Sequence, residues 1–313
     1  MSAKTRKTSK KALSNLLWLA IAAIIAAGFY IYQHTNDASA VNGGAAHVSA
    51  EGSLSVHYID VGQGDSALIV APDGSAMLID AGPNSAEDAL QAYLGAQGIK
   101  TLQYIVFTHP HEDHIGGGDM VMNKYTVQNV IMSNAVTTTT TFNRLLDAIN
   151  KSGAKVTSAN GSIGKTFILG SNDAGAAAAE FTILAPNSED YGDLNDSSVV
   201  LRLDYGGASF LFTGDAEVKS ENDQLKKYGA DGLRCDVLKA GHHGSVSSTS
   251  QKYLDAADPS TAVISCAKIN DYGHPHAETL KKFENAGVKA YGTYDFGTIV
   301  MRTDGENIEV ITK

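Results

Sequence analysis

The stretch THPHEDHIGG at 108–117 sets three histidines and two acids within six positions and closes on a glycine pair. His109 and His111 are two residues apart, so extended or turning backbone lets both imidazoles face one side. Asp113 and His114 fall on the next turn, where Gly116, Gly117 and Gly118 permit a tight bend into a helix. The run therefore offers two ligand pairs, His109 with His111 and Asp113 with His114. Imidazole and carboxylate are natural donors for zinc, and for manganese or iron as the oxygen share rises. There are two cysteines, Cys235 and Cys266, and no CxxC spacing, so a sulfur-ligated zinc is excluded. Each lies beside an apolar run, which favours a small buried thiol over a disulfide.

Other groups can join this chemistry. Asp215, in FTGD at a strand end, can span two cations with its two oxygens or cap the following helix. Asp80, in LIDAG, suits a role orienting a loop or a ligand histidine. The glycine-rich DVGQGDS at 60–66 lacks GK[ST] and leads into a strand. It reads as a tight turn near the site, with Asp65 or Ser66 touching ligand residues, rather than as a phosphate loop. His274 and His276, in YGHPH, precede a helix start and either meet an anionic group of the substrate or serve as surface caps. No GxSxG occurs.

Short β-rich runs must carry these groups. LSVHYID, SALIV and AMLID are separated by Gly, Pro and Asp turns. A helix is expected from Ser85, as N-cap, to Gln97, then TLQYIVFT as a buried strand ending at the histidine cluster. A second helix runs from Phe142 to Lys151, stopped by Gly153. FTILAP, SVVLRLDY and ASFLFTGD follow as strands, the last two joined by the hairpin signal Gly206-Gly207. Helices over 216–228, 249–256 and 277–286 alternate with CDVLKAG and AVISC, and strands near 298–302 and 308–311 close the chain. Residues 170–180 read as a loose surface insertion. Alternating strand pairs and helices imply an α/β fold with two mixed sheets between helix layers.

The N-terminus is a separate object. Lys4, Arg6, Lys7, Lys10 and Lys11 form a basic tail over 1–12. The apolar segment within 13–32 is long enough to span a bilayer, with the basic flank on the cytoplasmic side. Ala38-Ser39-Ala40 offers a cleavage site, so the chain is either anchored in the membrane through this segment or secreted after cleavage near Ala40. In both cases the domain over 53–313 lies outside the cytoplasm, joined by a flexible linker over 33–52. Without the basic tail the chain has 19 Lys and Arg against 34 Asp and Glu, a balance of −15. Bulk electrostatics therefore do not attract a polyanion; bound metal would have to supply local positive charge.

HxHxDH followed by glycines, after a strand pair ending in Asp80, resembles the metallo-β-lactamase superfamily of binuclear hydrolases. IDVGQGDS, LIDAG, NDSSVVLRLDYG, FLFTGDAE, LKAGHHGS and YGHPH follow in the order seen in the hydrolase domain of the competence protein ComEC, and the resemblance covers about 54–312. It implies an αββα four-layer sandwich and two divalent metal ions, zinc first, with manganese or iron as alternatives. By resemblance His109 and His111 hold one metal, Asp113 and His114 the other, and Asp215 bridges both. His242 is the choice for the last ligand of the second metal, with His243 as its neighbour. Superfamily members usually place a further histidine on the first metal; this chain has none between His114 and Asp215. Asn195 or Asp196, in NDSS, or water would stand in its place.

The activity implied is hydrolysis by hydroxide generated from metal-activated water, with Asp113 and Asp215 at the reacting centre. A phosphodiester substrate is expected, possibly DNA as in a ComEC-type nuclease, and no protein partner is predicted. A cell-surface phosphocholine-type esterase is the alternative, β-lactam or thioester hydrolysis ranks lower, and a metal-free binding module is the non-enzymatic rival.

Overall fold

The computed structural model describes residues 52–171 and 178–312. The N-terminal tail, the apolar segment, nearly all of the linker and most of the 170–180 insertion lie outside them. Among the described residues no helix is long and apolar enough to cross a membrane.

The chain opens with an antiparallel meander, β1 (Leu54–Tyr58), β2 (Ala67–Val70) and β3 (Ala76–Ile79). Helix α1 (Glu87–Ala96) buries Leu90 and Leu94 and returns the chain to β4 (Thr101–Phe107), parallel to β3. Its expected start is corrected. Residues 84–86 wind as a 3-10 turn, so Ala86 rather than Ser85 stands at the N-cap position, and the backbone N–H of Asn84 is held by Glu112 at 2.7 Å. The short helices α2 (Glu112–Ile115) and α3 (Gly118–Lys124) follow the histidine cluster, leading to β5 (Thr126–Met132). Helix α4 (Thr140–Ser152) has Thr139 as N-cap and ends at Gly153 with φ 72°, the left-handed turn that glycine adopts without strain.

After β6 (Lys155–Ser158), the strands β7 (Thr166–Leu169), β8 (Ala179–Ala185), β9 (Val200–Tyr205) and β10 (Ala208–Phe212) run antiparallel. Helix α5 (Val218–Leu233) starts two residues later than expected, and its first turn is capped by Asp196, whose Oδ1 accepts from the N–H of Glu217 and Ser220 at 3.0 Å each. Asp215 is therefore free of the capping role. Parallel strands β11 (Val237–Lys239), β12 (Thr261–Ile264) and β13 (Lys289–Gly292) alternate with α6 (Gln251–Ala257) and α7 (Ala277–Asn285). The short α8 (Thr293–Phe296), β14 (Ile299–Thr303) and β15 (Ile308–Ile311) complete the chain.

These strands make two mixed sheets, in the orders β15-β14-β1-β2-β3-β4-β5-β6 and β13-β12-β11-β10-β9-β8-β7. Period-2 alternation assigns the faces. Val56, Ile79, Val106 and Ile131 from the first sheet share one core with Phe181, Leu201 and Phe210 from the second. Ile105 and Phe107 point the other way, into a core completed by Leu90, Phe142 and Leu145 from the helices. Leu211, Leu238 and Ile264 do the same with Tyr253, Leu254 and Phe283. Each such side chain contributes about 1.5–3 kcal/mol on burial. The mixed α/β class and the two sheets are as expected from the sequence.

Candidate metal centre

The site forms where the two sheets release their chains at strand C-termini. β4 ends at Phe107 and delivers Thr108 to His114; β10 ends at Phe212 and delivers Asp215. β11 ends at Lys239 and delivers a turn over Gly241–Gly244. Two close approaches fix the histidine loop. A Cβ on Gly116 would lie 2.1 Å from the backbone nitrogen of Asn84, and one on Gly64 would lie 2.3 Å from the Asp113 carbonyl oxygen. Only glycine admits these backbones. The N–H of Asp65 also donates to that carbonyl at 3.1 Å, so DVGQGDS is indeed a tight turn against the site.

Asp113, His114, Asp215 and His243 bring one ligand atom each within 4.8 Å of one another. Oδ2 of Asp215 lies 3.2 Å from Nε2 of His114 and 3.4 Å from Nε2 of His243, whose Nε2 is 3.2 Å from Asp113 Oδ2. His109 stands on the other side of the same oxygen, with Nε2 at 3.9 Å, and its Nε2 is 2.9 Å from Nδ1 of His111. His242, the expected last ligand of the second group, is not in that cluster; His243 takes the place. Both residues sit in left-handed backbone, φ 47° and 54°, a conformation that turns successive side chains apart. The Ser265 carbonyl, which accepts from Nδ1 of His243 at 2.9 Å, fixes which ring points inward.

The protein holds the rings of His109, His114 and His243 by Nδ1 so that Nε2 faces the centre, whereas His111 turns Nδ1 toward His109. Nδ1–H of His114 donates to Asp80 Oδ2 at 2.8 Å. Asp80 also accepts from the Thr108 N–H at 2.8 Å and from the Thr108 hydroxyl at 2.7 Å. That hydroxyl is thereby left as an acceptor toward Nδ1 of His109 at 3.2 Å. Such outer partners set the tautomer and raise ligand basicity. Asp80 was expected to orient a loop or a ligand histidine, and it lies behind the His114 ring. Asp65 contacts Nδ1 of His243 at 3.3 Å and the buried ammonium of Lys239 at 2.8 Å. Burial alone would raise the Asp65 carboxyl, but Lys239 and His243 hold it down at about 2.

Electrostatics reveal what is missing. Burial acts to lower His114 and His243, yet the surrounding carboxylates, Asp215 foremost, hold both well above the ordinary imidazole value. Burial would raise Asp113 and Asp215, but those imidazoles hold both below the usual carboxylate range. His109, buried beside His114, is pushed well down. Nε2 of His114, Nε2 of His243 and Oδ1 of Asp215 are buried with no hydrogen-bond partner. Buried ring nitrogens converging on a buried carboxylate fit a divalent cation, which would replace the Nε2 protons that His114 and His243 carry without it. Metal loading at pH 7 should therefore release about two protons per chain, read by calorimetry in buffers of different ionisation enthalpy. A heat independent of buffer would contradict this charge pattern.

The centre opens into a cleft of about 610 Å³ lined by His111, Glu112, Asp113, Asn195, Asp215, His242, Tyr272 and His274, among others, with no Lys or Arg in its wall among the described residues. His274 faces the cleft, and burial and the neighbouring histidines lower it to about 4. His276 does not face it; its Nδ1 accepts from the Val246 N–H at 3.1 Å and steadies the 241–248 turn. Four partners escaped the sequence reading: Thr108, Ser198, Glu217 and Lys239. The hydroxyl of Ser198 accepts from the Asp215 N–H at 3.1 Å and lies 3.2 Å from Nδ1 of His109. It sits in the NDSS segment, whose first two residues had seemed the informative ones. Cys235 and Cys266 are free and buried, and burial pushes their thiols up to about 12 and 11, so neither is a nucleophile.

Residues 59–268 match the metallo-beta-lactamase superfamily. The chain belongs to that superfamily. Its curated relatives include ComE operon protein 3 of Bacillus subtilis, 30% identical over 272 residues, covering 82% of this chain and 33% of the relative. Recombination protein 2 of Haemophilus influenzae is 31% identical over 232 residues (72% and 26%), and competence protein ComA of Neisseria gonorrhoeae 28% over 250 residues (78% and 31%). The chain thus spans about a third of the length of these relatives. Among solved structures, the metallo-beta-lactamase fold protein YhfI from Bacillus subtilis aligns with TM-score 0.52 at 13% identity, over 80% of this chain and 99% of YhfI. The diiron β-hydroxylase CmlA from Streptomyces venezuelae aligns at 0.54 and 15%, over 82% and 55%. Those likenesses carry the fold alone. Superfamily membership together with the His/Asp cluster supports a metal-dependent hydrolase with competence-protein homologues.

Proposed function

We propose that this superfamily member is a phosphodiesterase with a paired-metal site, built as an αββα sandwich over 53–313 and working outside the cytoplasm. The observation that carries the reading is Asp215, a buried carboxylate whose Oδ2 is ringed by imidazole nitrogens at 3.2–3.9 Å at the floor of an open cleft. His109 and His111 would hold one cation and Asp113, His114 and His243 the other, with Asp215 between them; zinc suits the imidazole-rich donor set, manganese or iron the carboxylates. Such a pair supplies Lewis acidity and lowers the pKa of water.

The chain's own groups do the rest. Asp113, partly exposed at the cleft floor, accepts a hydrogen bond from the entering water and aligns it. Asp80, Thr108 and Ser198 keep the rings and Asp215 from turning away. His274, neutral at pH 7, donates a hydrogen bond to a substrate oxygen without adding charge. Among the described residues the cleft wall has no Lys or Arg, so an anionic phosphodiester depends on metal for most of its charge complementarity. DNA is the phosphodiester favoured by the competence-protein relatives.

One observation favours a second reading. Tyr272 is 65% exposed at the mouth of this cation-free cleft, an aromatic face suited to the quaternary ammonium of a phosphocholine ester. Anchoring through 13–32, or secretion after cleavage near Ala40, places either substrate within reach. The full chain with added manganese or zinc should hydrolyse bis(p-nitrophenyl) phosphate, and His111→Ala should abolish it. Parallel assay on single-stranded DNA, double-stranded DNA and phosphocholine esters then decides the class; cleavage of the last alone removes the nuclease reading.

A further inference from the structure

The two metal positions are unequally supplied. Asp113, His114 and His243 gather tightly with Asp215, whereas outside that cluster His109 lies 3.9 Å from the same carboxylate and carries His111 beside it. No histidine occurs between His114 and Asp215 to fill the gap. Asp196 is engaged elsewhere, its Oδ1 capping α5, and it is not among the residues that line the cleft.

We infer that His242 supplies the third imidazole of the position held by His109 and His111. Nε2 of His242 lies 3.7 Å from Asp215 Oδ2, comparable with the 3.9 Å of His109 and longer than the separations within the other cluster. Nitrogen and oxygen donors sharing a tetrahedral cation lie roughly 3.4 Å apart, from bonds of about 2.1 Å. The ring is held as the ligand rings are. Its Nδ1–H donates to Glu217 Oε1 at 3.0 Å, and Ser247 Oγ lies 3.2 Å from the same nitrogen. A carboxylate on Nδ1 fixes the tautomer that leaves the Nε2 lone pair available, the same device Asp80 provides for His114. Glu217 is free to do this because its side chain makes no cap bond to α5.

The backbone supports the assignment. His242 and His243 both occupy left-handed φ/ψ, which is strained for a non-glycine residue. One strained residue would suffice to aim His243. With the second residue in the same conformation, the neighbouring ring also faces Asp215, its Nε2 3.7 Å from Oδ2. A single HH turn would then serve both positions, replacing a histidine that the chain lacks elsewhere. Asn195, whose Nδ2 also donates to Glu217 Oε1 at 3.3 Å, is the competing group.

The inference rests on the paired-metal reading, and its test counts metal rather than turnover. Full-length protein stripped by chelation is titrated with manganese, followed by calorimetry and electron paramagnetic resonance. Wild type should bind two equivalents with a spin-coupled signal. His242→Asn, which tolerates left-handed backbone but cannot reach, should keep one equivalent at wild-type affinity, weaken the other at least about 100-fold and lose the coupling. Glu217→Gln should weaken that same equivalent about 10-fold or more. His243→Asn should weaken the other equivalent instead. Two unchanged equivalents and an intact coupled signal in His242→Asn overturn the inference, as does loss of that equivalent in Asn195→Ala but not in His242→Asn. A wild-type chain that binds one equivalent overturns it together with the paired-metal reading. Two-metal binding with the His242 effect but no phosphodiester turnover leaves the inference standing and removes only the proposed activity.

Discussion

Asp215→Ala should abolish metal binding at both positions and lower phosphodiester hydrolysis by on the order of 10³ to 10⁴-fold, the change expected when several kcal/mol of charge stabilisation are lost. The reason is geometric. Among the described residues, Asp215 Oδ2 is the one oxygen that lies 3.2–3.9 Å from the Nε2 atoms of His109, His114, His242 and His243 alike. The backbone should hold, because the Ser198 hydroxyl meets the Asp215 backbone N–H rather than its side chain, but losing the carboxylate that faces His114 and His243 lowers the thermal midpoint of the metal-free protein. A folded chain with a lowered midpoint and no bound metal is the expected result. Metal retained at one position with wild-type affinity would show that the carboxylate does not bridge.

Asp80→Ala should have the largest effect on stability. The residue is fully buried and its two oxygens accept three hydrogen bonds, from the Thr108 N–H, the Thr108 hydroxyl and His114. Alanine orphans all three donors, removes one of the buried carboxylates that face His114 and must hold φ 57°, where a methyl side chain is strained. Removing one partner of a buried ion pair costs about 3–5 kcal/mol. At roughly 2–4 °C per kcal/mol, Tm should fall by about 10 °C. Asp80→Asn keeps the backbone conformation and should cost less, yet still weaken metal binding about 10 to 100-fold. Equal midpoints for wild type and Asp80→Ala would contradict the assignment.

Much of this was legible in the sequence, for identifiable physical reasons. β1 to β4 and β8 to β12 are apolar runs bounded by Gly, Pro or Asp, and Gly206-Gly207 marks its hairpin. β6, β7 and β13 went unread because they are four-residue strands at sheet edges, where Lys and Thr replace the alternating apolar pattern. β5 was missed because Gln128 and Asn129 interrupt it, although Asn129 is spent on the Gln103 carbonyl at 2.8 Å. At the centre, HxHxDH and Asp215 were readable as types and spacing. The choice between His242 and His243 was not, since adjacency in sequence says nothing about which ring a left-handed turn aims inward. Ser198, Glu217 and Lys239 were equally silent, because residues that hold ligands from behind have no spacing rule of their own.

The central claim is that a metal pair at Asp215 hydrolyses a phosphodiester. It is tested most directly by titrating manganese or zinc into chelator-stripped full-length protein while following bis(p-nitrophenyl) phosphate turnover. Activity should be absent without metal and rise to a plateau at two equivalents per chain. Turnover that survives exhaustive chelation, or a fully loaded protein that cleaves no phosphodiester, would contradict it.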